Sequence, residues 1–120
     1  MRNTKQYGFP KRIHIKSRKE FAKVRYKGEY KKSDSFLLSV YTEKRQQTTK
    51  FGINLRKGFK SAVERNRVKR VIREVLRHNK KTFPEGSLVL TIAKPNTAQL
   101  KNSEIRAELK SLFELTNRDD

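Results

Sequence analysis

The stretch Arg65-Asn66-Arg67-Val68-Lys69-Arg70-Val71-Ile72-Arg73-Glu74-Val75-Leu76-Arg77 holds the side chains best placed to act on another molecule. Their chemistry is that of fixed cations and one amide, groups that hold phosphate. Val68, Val71, Ile72, Val75 and Leu76 fall at i, i+3, i+4, i+7 and i+8, the spacing of one buried helix face. Asn66, Lys69, Arg70, Arg73 and Arg77 fall on the opposite side. Most charged helix faces are simply solvated, but they mix both signs. Here Glu64 and Glu74 flank the face and offset little. Arg65/Lys69, Lys69/Arg73 and Arg73/Arg77 are like-charge pairs at i, i+4, which cost helix stability. Such a face points to a polyanionic partner.

The composition agrees. The chain has 120 residues, with 31 Lys+Arg against 12 Asp+Glu and a formal net charge of +19. This exceeds what solubility calls for, and an anionic partner relieves the self-repulsion. The length suits one domain, residues 1–120. Hydrophobic residues make up only 33%, but they lie in periodic segments, which indicates a small core under a charged surface rather than disorder.

Other chemistries lack their residues. No cysteine is present, so there is no disulfide, thiolate nucleophile or Cys-ligated zinc. His14 and His78 lie far apart in sequence. Neither a Walker loop nor GxGxxG occurs, and the scattered carboxylates do not suggest a two-metal nuclease site. The protein alone is not expected to cut a substrate. There is no apolar segment of secretory or membrane-spanning type, so no membrane partner is expected and the default location is the cytoplasm.

The remaining elements must position that helix. Residues 1–16 form a basic, partly flexible arm. Ile13 and Ile15 are placed to pack on the core, and residues before Pro10 read equally as a frayed end. Ser17-Arg18-Lys19-Glu20 is a capping box opening a short helix through Phe21, Ala22, Val24 and Arg25, stopped by Gly28 as C′. Phe21 suits either the core or a stacking platform. Phe36–Thr42 reads as a strand, preceded by a candidate edge strand at Tyr30–Ser33. Lys50–Arg56 alternates as a second strand, close enough to the first for an antiparallel hairpin. Ser61 and Glu64 form a second capping box before the central helix, which ends near His78-Asn79. Pro84-Glu85-Gly86 is a turn. Ser87–Ala93 is apolar on both alternations, as a central or parallel strand is. Asn102 or Ser103 caps a last helix with a stripe of Ile105, Leu109, Leu112 and Phe113. This is an α+β layer with a second sheet face of Ser39, Tyr41, Asn54 and Arg56, suited to single-stranded nucleic acid.

Ala62-Val63-Glu64-Arg65-Asn66-Arg67-Val68-Lys69-Arg70-Val71-Ile72-Arg73-Glu74 resembles the signature of the bacterial ribonuclease P protein subunit, A-V-x-R-N-x-x-K-R-x-x-R-E. Arg12-Ile13, Phe21-x-x-Val24, Gly28, Phe51-Gly52-Ile53 and Lys94-Pro95 extend the likeness over most of the chain. The resemblance implies an αβββαβα two-layer sandwich with a left-handed βαβ crossover, similar to the second domain of ribosomal protein S5. That crossover is an exception to the usual handedness. It implies an accessory subunit of a ribonucleoprotein endonuclease. The catalytic RNA subunit would cleave precursor tRNA to its mature 5′ end using Mg²⁺ held by the RNA. The signature helix would contact that RNA, and a cleft between the first helix and the sheet would hold the single-stranded 5′ leader.

Carried over, the RNA-binding positions are Arg65, Asn66, Arg67, Lys69, Arg70, Arg73 and Arg77. The leader cleft is expected at Phe21, Arg25, Ser39, Tyr41, Lys57, Lys69 and Arg73. Arg65, Asn66, Lys69 and Arg73 form one ridge facing the cleft, while Arg67, Arg70 and Arg77 point outward to the catalytic RNA alone. The chain departs from the family pattern in three places. Arg25 stands at the second aromatic of the first helix, beside Tyr26. Ser39 stands where a strand tyrosine is expected, with Tyr41 two residues on. Lys57-Gly58-Phe59-Lys60 displaces the glycine of K-K-x-G. The alternative is a ribosomal-type RNA-binding structural protein. A DNA-binding protein is not expected, because no short helix lies three or four residues upstream of the basic helix.

Overall fold

The computed structural model describes residues 14–42 and 48–117, and the remainder of the expected arm, residues 1–13, lies outside them. Along the chain run α1 (Arg18–Lys27), β1 (Glu29–Lys32), β2 (Phe36–Thr42), β3 (Lys50–Leu55), α2 (Ala62–His78), β4 (Ser87–Ala93) and α3 (Asn102–Asn117). Short 3-10 turns at Lys80–Thr82 and Pro95–Gln99 flank β4. Among the described residues no helix is long and apolar enough to cross a membrane.

The unbroken apolar run of β4 decides the topology. All its residues are buried, so both of its edges and both of its faces need cover. β2 pairs with one edge antiparallel, with Phe36 opposite Ala93 and Thr42 opposite Ser87. β3 pairs with the other edge in parallel, with Lys50 opposite Leu88 and Leu55 opposite Ala93. β1 joins β2 antiparallel, giving the sheet order β1-β2-β4-β3. The β2–β3 hairpin expected from sequence proximity therefore does not form, because β4 inserts between the two strands. β3, α2 and β4 make the parallel βαβ unit.

On one face α2 and α3 pack over Phe36, Leu38, Phe51, Leu55 and Val89. The apolar stripe of α2 is buried as its spacing predicts, at Val68, Val71, Ile72, Val75 and Leu76. Phe83 lies edge-on to both Phe51 and Phe113, with ring centroids 6.0 Å and 5.2 Å apart. Glu74 of α2 accepts from Arg106 of α3 at 2.7 Å.

The other face was expected to be polar. It is instead a second apolar cluster of Ile15, Val24, Leu88, Leu90 and Ile92 beneath α1. Leu88, Leu90 and Ile92 of β4 supply the sheet's buried share of it, with Leu37 and Tyr41 of β2 packed alongside, and the polar residues of β2 and β3 hid it.

The caps account for where the helices begin. Ser17 Oγ accepts from the Glu20 amide at 3.1 Å, but the Glu20 carboxylate turns to Lys50 Nζ at 2.8 Å and leaves the box half made. Ser61 Oγ accepts from the Glu64 amide at 3.2 Å, and Glu64 returns to the Lys60 amide at 2.9 Å. α3 begins at Asn102 itself, one residue earlier than a cap at Asn102 would allow and two earlier than a cap at Ser103. The Lys101 amide there donates to Glu104. Gly28 is extended (φ −73°, ψ 162°) and not left-handed. It is small for another reason: a Cβ there would lie 2.5 Å from the Val24 carbonyl oxygen and also strike Ser39 Oγ.

Candidate nucleic-acid interface

The outer edge of β3 is not left bare. The arm returns beside it, with a parallel bridge from His14 to Phe51 and the Ile15 amide donating to the Phe51 carbonyl at 3.0 Å. Ile15 is buried, which ties the end of the basic arm to the core. Between this segment, α1 and α2 lies an open cleft of about 170 Å³. Its walls are His14, Ile15, Phe21, Phe51, Gly52, Ile53, Lys69 and Arg73.

Gly52 lets α1 come close. A Cβ at Gly52 would stand 3.1 Å from the Phe21 ring and 3.3 Å from Ile15. The half-buried Phe21 ring thus packs against Ile15 and Gly52 while part of it faces the cleft, so it serves as both core and wall. Lys69 and Arg73 stand one helical turn apart on α2, half-buried on the opposite wall. The ion pairs found among the described residues are Lys50–Glu20 and Arg106–Glu74, neither of which neutralises these two cations. An apolar ring facing two uncompensated cations suits a base stacked on one side and phosphates on the other.

The structure separates the other expected site residues. Asn66 and Arg70 are exposed on α2. Arg65 lies with its guanidinium 5.8 Å from the centre of the Phe59 ring, so the loop before α2 holds it. Arg77 sits in a shallow basic hollow with His78, Lys80 and Lys81 at the end of α2. Its Nη2 lies 3.3 Å from His78 Nε2.

Arg67 does not point freely outward. It donates to the Ala98 carbonyl at 2.8 Å and to Asn102 Oδ1 at 2.6 Å. At ~100° per residue it falls furthest round α2, at the seam with α3, and its charge is spent holding that seam.

Within the expected leader cleft, Phe21, Lys69 and Arg73 meet and the others do not. Ser39 is fully buried, and its hydroxyl donates to the Val24 carbonyl. It shares that carbonyl with the Gly28 amide, which donates to it at 3.3 Å, and being buried it cannot reach a ligand. Tyr41 is half-buried against the apolar cluster under α1. Arg25 is exposed on α1, and its carbonyl accepts from the Tyr30 hydroxyl. Lys57 is exposed in the turn where Gly58 (φ 119°) passes Pro95. His14 is the wall residue that sequence reasoning passed over as a site. The apolar–polar–apolar pattern Ile13-His14-Ile15, a strand-like alternation, was the available signal.

A model of the ribonuclease P family matches residues 9–117. The chain belongs to the ribonuclease P protein family. Curated relatives include the ribonuclease P protein component of Desulforapulum autotrophicum, 35% identical over 95% of this chain and 97% of that one. That of Dictyoglomus turgidum is 32% identical over 91% and 90% of the two chains. The RNase P protein of Staphylococcus aureus superimposes with a TM-score of 0.79 at 23% identity, covering 87% of this chain and 94% of that one. That of Thermotoga maritima gives 0.72 at 22%, covering 85% and 96%. These structures share the αβββαβα fold. As a ribonuclease P protein, the chain is the accessory subunit of a ribonucleoprotein endonuclease.

Proposed function

We propose that this ribonuclease P protein binds two RNAs at once in the cytoplasm, the catalytic RNA of its holoenzyme and the single-stranded 5′ leader of precursor tRNA. The observation that carries this is the cleft in which Phe21 faces Lys69 and Arg73. Leader phosphates lie against the two cations, and a leader base stacks on Phe21. Arg70, Asn66 and the basic hollow around Arg77 meet the catalytic RNA. No three of the described His, Asp or Glu side chains converge into a donor set. The Mg²⁺ required for cleavage is assigned to the RNA, and the protein supplies cationic charge that lowers the ion concentration needed to hold substrate and fold RNA together. The ribosomal-type reading loses to this one, because the family match spans residues 9–117.

Cleavage of precursor tRNA by the catalytic RNA at low Mg²⁺, with and without the protein, tests the reading, which predicts stimulation. Lys69→Ala and Arg73→Ala are each expected to weaken binding of leader-bearing precursor and to lower the magnitude of its salt slope by about 0.7. Mature tRNA binding should be unchanged. Equal loss with and without a leader would refute the assignment of the cleft.

A further inference from the structure

The outer face of α1 has chemistry that the cleft does not use. Its sequence, RKEFAKVRYK, has five basic residues and one acidic residue, and that acid, Glu20, is held by Lys50 at 2.8 Å. At ~100° per residue, Lys19, Lys23 and Tyr26 fall opposite the buried Val24 and the cleft-facing Phe21. Tyr26 is 79% exposed, the most exposed large hydrophobic side chain among the described residues. Beside it, Lys19, Ala22, Lys23 and Lys27 form a shallow groove. The groove is floored largely by alanine and lysine stems, and the exposed Lys19 and Lys27 carry their ammonium groups past it.

A tyrosine left in water with no packing role, ringed by lysines and with no free carboxylate on its helix, matches the stacking platform of single-strand binders. The direction of α1 makes the surface continuous with the cleft. The helix starts beside β3, where Glu20 meets Lys50 and Phe21 meets Gly52. It ends over β2, where Ser39 meets Val24. Arg25 and Arg18, both exposed, lie round the helix between Phe21 and Tyr26. A strand leaving the cleft past Phe21 therefore crosses cations before it reaches the Tyr26 ring. Ten residues of helix span about 15 Å, the rise of about four stacked nucleotides at ~3.4 Å each.

We infer that the outer face of α1 is a second leader site, at which Tyr26 stacks a base of the 5′-distal leader while Lys19 and Lys27 hold its phosphates. This rests on the cleft holding the proximal leader.

The test measures holoenzyme affinity for precursors with a short leader (about four nucleotides) and a long one (about ten), the difference exceeding the ~15 Å of α1 at ~3.4 Å per nucleotide. Tyr26→Ala is expected to weaken long-leader binding about tenfold, the loss of one stacked base, and to leave short-leader binding and catalytic RNA assembly unchanged. Tyr26→Phe should retain affinity, because the ring and not the hydroxyl stacks. In Tyr26→Trp the new indole is the chain's only tryptophan, and its fluorescence should be quenched by long-leader precursor and not by short. Equal loss for both leaders, no loss for either, or a loss confined to assembly with the catalytic RNA would each overturn the inference. If Arg73→Ala abolishes leader dependence while Tyr26→Ala changes nothing, the cleft reading stands and this one falls. If neither variant depends on the leader, both fall.

Discussion

Replacing Arg67 with alanine separates a structural cation from an RNA-binding one. Its guanidinium spans from α2 to the Ala98 carbonyl and the Asn102 side chain. A hydrogen bond from a charged donor contributes about 1.5–3 kcal/mol when its partners are shielded from water. The bond to Asn102 is exposed, and water replaces it at little cost. The bond to Ala98 is part-buried, and opening that acceptor costs about 1–2 kcal/mol. With the lost packing of the arginine stem, Arg67→Ala should destabilise the fold by about 2 kcal/mol. For a domain of this size each kcal/mol moves the melting temperature by roughly 4 °C, so a fall of about 8 °C is expected. Thermal melts followed by circular dichroism measure it, beside the salt dependence of binding to the catalytic RNA. Arg70→Ala, an exposed neighbour, is the comparison. It should leave the melt unchanged and lower the salt slope by about 0.9 for a duplex phosphate contact. An Arg67→Ala protein that melts normally while losing the same slope would refute the structural assignment.

Two further outcomes follow from buried contacts. Thr91 is fully buried, and its hydroxyl has no hydrogen-bond partner among the described residues. Thr91→Val should therefore stabilise the protein by about 1 kcal/mol in a denaturant titration. Gly28→Ala should destabilise by about 2 kcal/mol or more, because its Cβ meets the Val24 carbonyl as well as Ser39. Adding Ser39→Ala should not restore stability, since the backbone clash remains.

Much of the local structure could be read without coordinates. The two serine caps, the 3.6-residue spacing of Val68 to Leu76 and the doubly apolar run of β4 are interactions within a few residues, and each appears in the structure. The like-charged face of α2 also named Lys69 and Arg73, because helical geometry fixes which side chains oppose an apolar stripe. The spacing could not say what faces that stripe's flanks. Arg67 and Arg70 carry the same charge on the same helix, and only the arrival of α3 turns one into a seam contact.

Strand order was the first thing the sequence left open. β2 and β3 are neighbours in the chain, and β4 separates them because its apolar faces and edges need burial more than a local hairpin does. From this followed the misreading of the second sheet face. Residues such as Ser39 look solvent-facing in alternation, yet Ser39 is buried under α1, where its hydroxyl meets the Val24 carbonyl. The cleft depends on the same long-range pairing. Phe21, Lys69 and Arg73 are distant in sequence and meet only because Gly52 admits Phe21 on one side of β3 and α2 packs against the other. By itself the sequence determined that this protein has a cationic helix and which side chains line it, since those are matters of local period and charge. Tertiary structure alone decided which of those cations face a cleft, which hold α3, and what stands opposite them, because contacts between residues far apart in sequence leave no local period.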